Sequence, residues 1–524
     1  MFEFAIVVLF ALAISDLIVG VSNDAVNFLN SSIGSRVAPR TVIMVIASLG
    51  MLAGVTFASG MMEVARNGIF HPQFFTMPEL ITIFLAVMLT DIILLDLYNT
   101  FGLPTSTTVS IVFELLGAAV AVSLLKISQA GAPFREVVNY INTSKALAII
   151  FGILLSIGVA FIVGALVQIA TRLLFTFDYE KRLKRYGALW SGAALASIVY
   201  FILIKGAKGS SFITPDTLAW IKGHSGLILL ASFAFFTVLL QFLMTLTRVN
   251  VLKVVVLVGT FALAMAFAAN DLVNFIGVPL AGLAAYSEAG AAADPMTATM
   301  EALQHPVQSS TLFLLIAGAI MVVTLWLSRK ARTVTRTEVR LGRQEEGYER
   351  FESTALSRAI VRLVSSVFET GGRWAPPAIR RWANGRLDRS DFRPPPAADG
   401  TVPSFDLVRA AVNLMVASAL ISLATSFKLP LSTTYVTFMV AMGTSFSDQA
   451  WGRESAVYRV SGVLTVIGGW FFTAMMAFSV SGVFAVIIYY GKIWGMIGIG
   501  AVAILLLVRT RDLHRFREEE ETAL

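Results

Sequence analysis

About thirteen apolar runs succeed one another along the chain, near 3–28, 41–62, 79–99, 104–125, 146–171, 188–204, 226–246, 252–276, 310–328, 406–427, 430–447, 460–490 and 493–509. Most approach the ~20 residues a helix needs to cross a bilayer. The apolar residues run continuously rather than alternating, which predicts helices and argues against a β-barrel. The pattern therefore predicts an all-α polytopic membrane protein of about 12–13 segments. The runs opened by Pro104 and Pro430 are candidates for broken or re-entrant elements, because proline belongs at a helix start and not in its interior.

Polar residues interrupt this pattern in two strings, each present twice and in the same order. The first half carries Asn23-Asp24-Ala25-Val26-Asn27 and Leu103-Pro104-Thr105-Ser106-Thr107-Thr108; the second carries Asn270-Asp271-Leu272-Val273-Asn274 and Leu429-Pro430-Leu431-Ser432-Thr433-Thr434. An aspartate in mid-membrane costs about 2.5–3.5 kcal/mol on insertion scales. Paying that twice, beside matching asparagines, points to a site. Inter-helix glue is the plainer alternative.

Charge sets the expected orientation. The net charge is +7. The connections 36–40, 172–185 and 329–405 and the tail 509–517 are basic and read as cytoplasmic; 277–309 has Glu288, Asp294 and Glu301 with no Lys or Arg and reads as external. Alternate crossings then place the N-terminus outside and the C-terminus in the cytoplasm. The first Asn-Asp string falls in the first span and the second in the eighth, seven steps apart, so the copies face opposite ways. Asp24 lies 80 residues before Pro104 and Asp271 lies 159 before Pro430; the surplus of 79 is close to the size of the basic 329–405 loop. This is the plan of an inverted-topology repeat with an inserted loop.

The expected organisation is a first transport repeat over 1–171 and a basic connection with additional spans over 172–250. The second repeat begins at 251–328, is interrupted by a partly disordered cytoplasmic loop at 329–405, and resumes over 406–509 before a tail at 510–524. Within the loop, Phe351, Leu356, Ile360, Leu363, Val364 and Phe368 have the spacing of a surface helix among arginines. The N-terminus lacks a basic leader region, so the first apolar run is expected to be retained.

The chemistry of the strings follows from residue type. Pro104 and Pro430 fit a first helical turn, and Ser106, Thr107, Thr108, Ser432, Thr433 and Thr434 would surround the free N–H groups and positive dipole end of a half-helix. That is a candidate oxyanion site built from neutral donors; a pair of polar helix caps at the membrane surface is the plainer alternative for either string alone, and the duplication favours the site. Asn23 with Asn27, and Asn270 with Asn274, share a helix face. Their amides can donate to an anion or offer oxygen to a cation. Asp24 and Asp271 repel an anion unless a proton or cation intervenes, so they suit a coupling ion or a hydrogen bond from a protonated oxyanion; Asn23, Asp24, Asn270 and Asp271 are candidate positions for sodium. Asp96, Asn99 and Glu114 are candidate cavity-lining residues. Asp91 is a further intramembrane acid; pairing within the bundle is the competing reading. Glu63, Lys428 and Arg409 are expected to snorkel near membrane edges, and Gly152, Gly158 and Gly164 to pack helices closely.

Other functions find no support. There are no cysteines, and the four histidines are scattered, so no thiolate or metal-spaced cluster is present. No nucleotide-binding loop or nucleophile–base set is found, so an ATP-driven machine or an enzyme is not expected, and the basic loop is not read as binding nucleic acid.

At these strings the chain resembles the inorganic phosphate transporter (PiT) family of cation-coupled phosphate permeases, which includes sulfate permeases. That family carries a duplicated Gly-x-Asn-Asp-x-x-Asn string and a duplicated Pro-x-Ser-x-Thr-His-like string in inverted halves. Here the glycines are replaced by Val21 and Ala268, and the histidines by Val109 and Tyr435. The stretch from Trp190 to about Met244 looks like two spans beyond the shortest family plan. The resemblance implies import of inorganic phosphate coupled to sodium or protons, by alternating access in the cell's inner membrane. Phosphate would be held by Asn23, Asn27, Ser106, Thr107, Thr108, Asn270, Asn274, Ser432, Thr433 and Thr434. It leaves a sulfate permease, and more remotely an anion channel, as alternatives. Homodimerisation stays open, and no cofactor beyond the coupling ion is expected.

Overall fold

The computed structural model describes residues 2–56, 68–200, 202, 214–247, 249–292, 294–300, 303, 310–343, 352–359, 361–362, 366, 376–388, 402–427, 431–448 and 453–523. Among them there are no strands, only two isolated bridges, Phe70 with Ile141 and Thr76 with Thr299. The principal helices are α1 (Phe2–Asp24), α2 (Val26–Gly34), α3 (Arg40–Val55), α4 (Met77–Phe101), α5 (Thr107–Gln129), α6 (Thr143–Phe175), α7 (Glu180–Val199) and α8 (Ser225–Thr247). There follow α9 (Val251–Gly290), α10 (Thr311–Leu327), α11 (Arg329–Gly342), α12 (Leu407–Ser426), α13 (Thr433–Ser447) and α14 (Arg453–Ala523).

The all-α membrane architecture expected from the apolar runs is present. Among the described residues eight helices are long and apolar enough to span, or nine if the bent pair α10–α11 counts as one. The lower count has plain causes. The runs at 460–490 and 493–509 lie in one 71-residue helix, α14, whose backbone breaks at Lys492 (φ 49°). The helices α3 and α13 have only 16 and 15 residues. α7 opens on the basic run Glu180-Lys181-Arg182. The element opened by Pro104 is a helix of 23 residues, Thr107–Gln129, entered after a break in the chain at Gly102. Pro430, Lys428 and Glu63, like most of the expected 351–368 surface helix, fall outside the described residues.

Helix packing repeats between the halves. α1 packs on α4 as α9 packs on α12, and α4 on α5 as α12 on α13. The long partners are exchanged: α6 packs on α13, and α14 on α5. Likewise α3 packs on α9 and α10 on α1, while α1 and α9 meet each other at the centre. Small residues allow this closeness. A Cβ at Gly50 or Gly54 of α3 would come within 2.3 and 2.2 Å of the Phe261 and Met265 carbonyl oxygens of α9, an approach that only glycine tolerates. Gly164 likewise faces the Val440 backbone, but Gly152 and Gly158 face open space, so the close-packing expectation fails for those two.

The inserted basic segment does not begin as a loop. α11 turns 69° away from α10, capped by Ser328, whose Oγ accepts from Ala331 N at 3.2 Å. It buries Ala331, Val334 and Leu341 and places Glu338 against Asn30 of α2.

Candidate functional site

The described residues of the four strings converge in the interior of the molecule, all but closed to solvent: Asn23, Asp24, Asn27, Asn270, Asp271 and Asn274 are at most 5 % exposed, and the six serines and threonines at most 3 %. Local sequence explains how each arrives. Gly102 adopts a left-handed turn (φ 61°) that ends α4, with Gly102 N donating to Asn99 O and Leu103 N to Tyr98 O. The chain then runs extended through Pro104 until Ser106 starts α5, its Oγ accepting from Val109 N at 3.1 Å. In the second half Ser432 caps α13 the same way, accepting from Tyr435 N at 3.0 Å. The two serines expected at the anion site are thus helix caps first.

The threonines and asparagines are shared across the halves. The Asp24 carboxylate accepts from Thr107 of its own half at 2.9 Å and from Thr434 of the other at 3.0 Å. Asp271 accepts from Thr433 of its own half at 2.5 Å and from Thr108 of the other at 3.1 Å. Asn27 Nδ2 points to Thr433 and Thr434 (3.3 and 3.0 Å), and Asn274 Nδ2 to Thr107 and Thr108 (3.3 and 3.0 Å). Each aspartate therefore joins both halves through hydroxyls, and each second asparagine reaches across.

The first asparagines differ. Asn23 is fully engaged: its Nδ2 donates to Asn99 Oδ1 at 2.8 Å and to Leu103 O, and its Oδ1 accepts from Thr105 N at 2.9 Å. Asn270 Nδ2 donates to Asp271 and to Leu431 O, while its Oδ1 is buried without a hydrogen-bond partner. The backbone differs as well: the first string lies at a break between α1 and α2, and the second lies within the 40-residue α9, five residues before Pro279.

The other candidates separate into two places. Asp96 and Asn99 line a cavity of about 1400 Å³ together with Ser22, Ser328, Arg329, Lys330, Arg511, His514 and Arg515. Asp96 is ion-paired there with Lys330 at 2.6 Å and accepts from Thr510, so its cation partner is a side chain of the protein. Glu114 does not line that cavity. It is buried on α5, bonded to Ser110 Oγ at 2.7 Å, and lies beside Asp91 and Asp16.

Several residues with roles at this centre were not legible as such. Thr437 donates to Asn27 Oδ1 at 3.2 Å and so orients its amide. Trp470 of α14 donates to Pro104 O at 3.1 Å and stacks on Tyr435 at 3.8 Å between ring centroids. Spacing within α13 pointed to Thr437 only weakly, and nothing in the sequence pointed to Trp470.

Arg409 does not snorkel. It is 1 % exposed and lies in a buried network. Asp448 accepts from Arg172 Nη2 and Arg409 Nε (2.8 and 2.9 Å) and from Gln168 (2.8 Å), and Asp406 pairs with Arg172 at 2.8 Å. Asp448 lies just beyond the end of α13. Burial alone would raise its carboxyl, but Arg172 and then Arg409 hold it well below the usual carboxylate range.

Comparison with known proteins places the chain and its fold. A family profile described as the phosphate transporter family matches residues 20–340. A protein of Thermococcus kodakarensis named as a phosphate permease is 27 % identical over 277 residues, 52 % of this chain and 64 % of that protein. One of Pyrococcus furiosus with the same kind of name is 25 % identical over 197 residues, 37 % of this chain and 44 % of its own length. The matched stretch thus spans less than two thirds of these relatives. The solved structure titled the sodium-dependent phosphate transporter shares the fold, with a TM-score of 0.63 over 93 % of this chain and 99 % of that one, at 16 % identity.

Proposed function

The chain belongs to the phosphate transporter family, and from that premise we propose that it imports inorganic phosphate by alternating access, driven by a cation gradient. The observation that carries this reading is that Asp24 and Asp271 each accept hydroxyl hydrogens from both halves. A carboxylate and a phosphate oxygen are alternative acceptors for the same donors. The four threonine hydroxyls can serve phosphate only when the aspartates release them, and the aspartates release them when a proton or cation neutralises their charge; the Asn27 and Asn274 amides, which donate to those same threonines, turn to the anion with them. Anion and cation binding are coupled by this competition, with no long-range device required.

Sodium fits the same oxygens. Asn270 Oδ1 is buried without a donor beside Asp271, the environment a hard cation uses; Asn23 Oδ1 is already engaged. The reading therefore assigns the more open cation position to the second half. The repeated packing of α1 with α4 and α9 with α12 supports two structural repeats. In this reading they have inverted topology and rock about the centre. The basic cavity lined by Lys330 and Arg511 is the cytoplasmic vestibule, with the N-terminus outside.

The test is uptake by the purified protein in liposomes, using labelled phosphate and labelled sulfate, with sodium and pH gradients imposed separately. Uphill phosphate accumulation under one gradient is expected. Preference for sulfate would reassign the substrate, and flux that only dissipates an anion gradient would replace the transporter with a channel.

A further inference from the structure

Three carboxyl groups in the first half are left over from this scheme. Asp16 of α1, Asp91 of α4 and Glu114 of α5 are all 0 % exposed. Asp16 faces Asp91, and Asp91 faces Glu114. Both oxygens of Asp16, both of Asp91 and Oε2 of Glu114 lack a donor at hydrogen-bonding distance and angle; Ser110 donates to Glu114 Oε1 at 2.7 Å and also lies near Asp91. The other elements packed here bring no counter-charge. From α14, Ser481 donates to the Glu114 carbonyl; from α1, Asp24 adds only a further negative group. Among the described residues no lysine, arginine or histidine pairs with any of the three.

Packing does not require acids at these places. At the same distances from the second-half strings stand Leu263, Ala417 and Val440, which are buried in the apolar core. Three ionised carboxylates facing one another in the membrane interior would each bear a desolvation penalty and mutual repulsion. Two neutralisers exist. A metal ion needs several oxygens converging on one point, and no acid or histidine cluster of that kind occurs among the described residues. A proton needs only one carboxyl facing another, because O–H donates to the neighbouring oxygen and supplies the donor that these five oxygens lack.

We propose that Asp16, Asp91 and Glu114 form a proton-binding site, separate from Asp24 and Asp271, which loads a proton for transport; the transport role rests on the function proposed above. The site is placed for it. Asp16 lies two turns before Asp24 on α1, about 12 Å along the axis at 1.5 Å per residue, and Asp91 is near enough to bear electrostatically on Asp24. Chains of intramembrane acids are the ordinary material of proton relays. Transfer needs no other reactant: a carboxyl O–H gives its proton to a neighbouring carboxylate and is left as carboxylate.

Two readouts on the full-length protein in lipid test this. Infrared spectra at neutral pH should show the C=O band of protonated carboxyl groups, diminished in Asp91→Asn and in Glu114→Gln. Labelled phosphate uptake driven by a pH gradient should fall about tenfold or more in both variants, while exchange of labelled for unlabelled phosphate at equal pH persists. If Asp91→Asn does not fold, Glu114→Gln, which keeps the acceptor for Ser110, is read alone. A carboxyl band unchanged by either substitution, or undiminished pH-driven uptake, overturns the proposal. Should the unaltered protein carry no phosphate, the transport reading falls, and the infrared bands alone decide whether the trio binds protons.

Discussion

The molecule buries two polar clusters that treat charge in opposite ways. At the centre, Asp24 and Asp271 are surrounded by hydroxyls and amides, with no counter-charge among the described residues. At the 172–409–448 network, each carboxylate is clasped by guanidinium groups. The difference teaches what each is for. A matched ionic network has one good arrangement and fixes α6, α12 and the end of α13 together. An aspartate satisfied only by neutral donors can exchange them for a proton or cation at modest cost, and so can switch. Buried ion pairs are expensive to break, whereas hydroxyl donors are exchangeable.

The contrast breaks first at the aspartates. Asp24→Asn and Asp271→Asn should each remove uphill phosphate accumulation in liposomes while the unfolding temperature stays near that of the unaltered protein. Retained accumulation would return the centre to helix glue. Next, Asp448→Asn should cost about 3–5 kcal/mol of stability, because two buried arginines lose their shared partner; thermal unfolding in detergent measures it. The depressed carboxyl gives the sign of the pH effect. Asp448 contributes stability that is present above the ordinary carboxylate range and is lost only as pH falls through its lower folded value, so mild acid should leave the network intact.

Smaller effects separate the hydroxyls from one another. Thr434→Val removes a hydroxyl that in the proposed exchange passes from Asp24 to the phosphate; losing that charge-assisted bond to the anion, about 1.5–3 kcal/mol, should weaken phosphate binding by roughly 10–100-fold, read by equilibrium binding of labelled phosphate. Ser432→Ala removes a cap worth about 1 kcal/mol; it should lower the unfolding temperature and alter phosphate binding less than Thr434→Val. Equal losses of affinity would show that Ser432 serves the anion as well as the helix.

Much of the centre was legible because its chemistry repeats. Asn-Asp-x-x-Asn and Pro-x-Ser-Thr-Thr strings stand out against an apolar background wherever they fold, and their duplication in one order sets them apart from ordinary helix caps. The arginine network was not legible. Arg172, Arg409 and Asp448 are far apart in sequence, and a lone arginine at the end of an apolar run looks the same whether it snorkels or is clasped. Asp16, 7 residues before Asn23, carries no sign of its surroundings for the same reason, since its neighbours lie on two other helices.

By itself the sequence determined that the chain is a helical membrane protein, that polar chemistry is duplicated in its two halves, and which residues carry that chemistry. Those are properties of local composition and of order along the chain. Only the tertiary structure decided that each aspartate is shared between the halves, that Ser106 and Ser432 are committed as caps, and that Asp96 is already paired with Lys330. The same holds for three further acids meeting without a donor. Each depends on which helix faces come within about 3 Å of one another, and the packing of several helices at once sets that distance, not the spacing within any one of them.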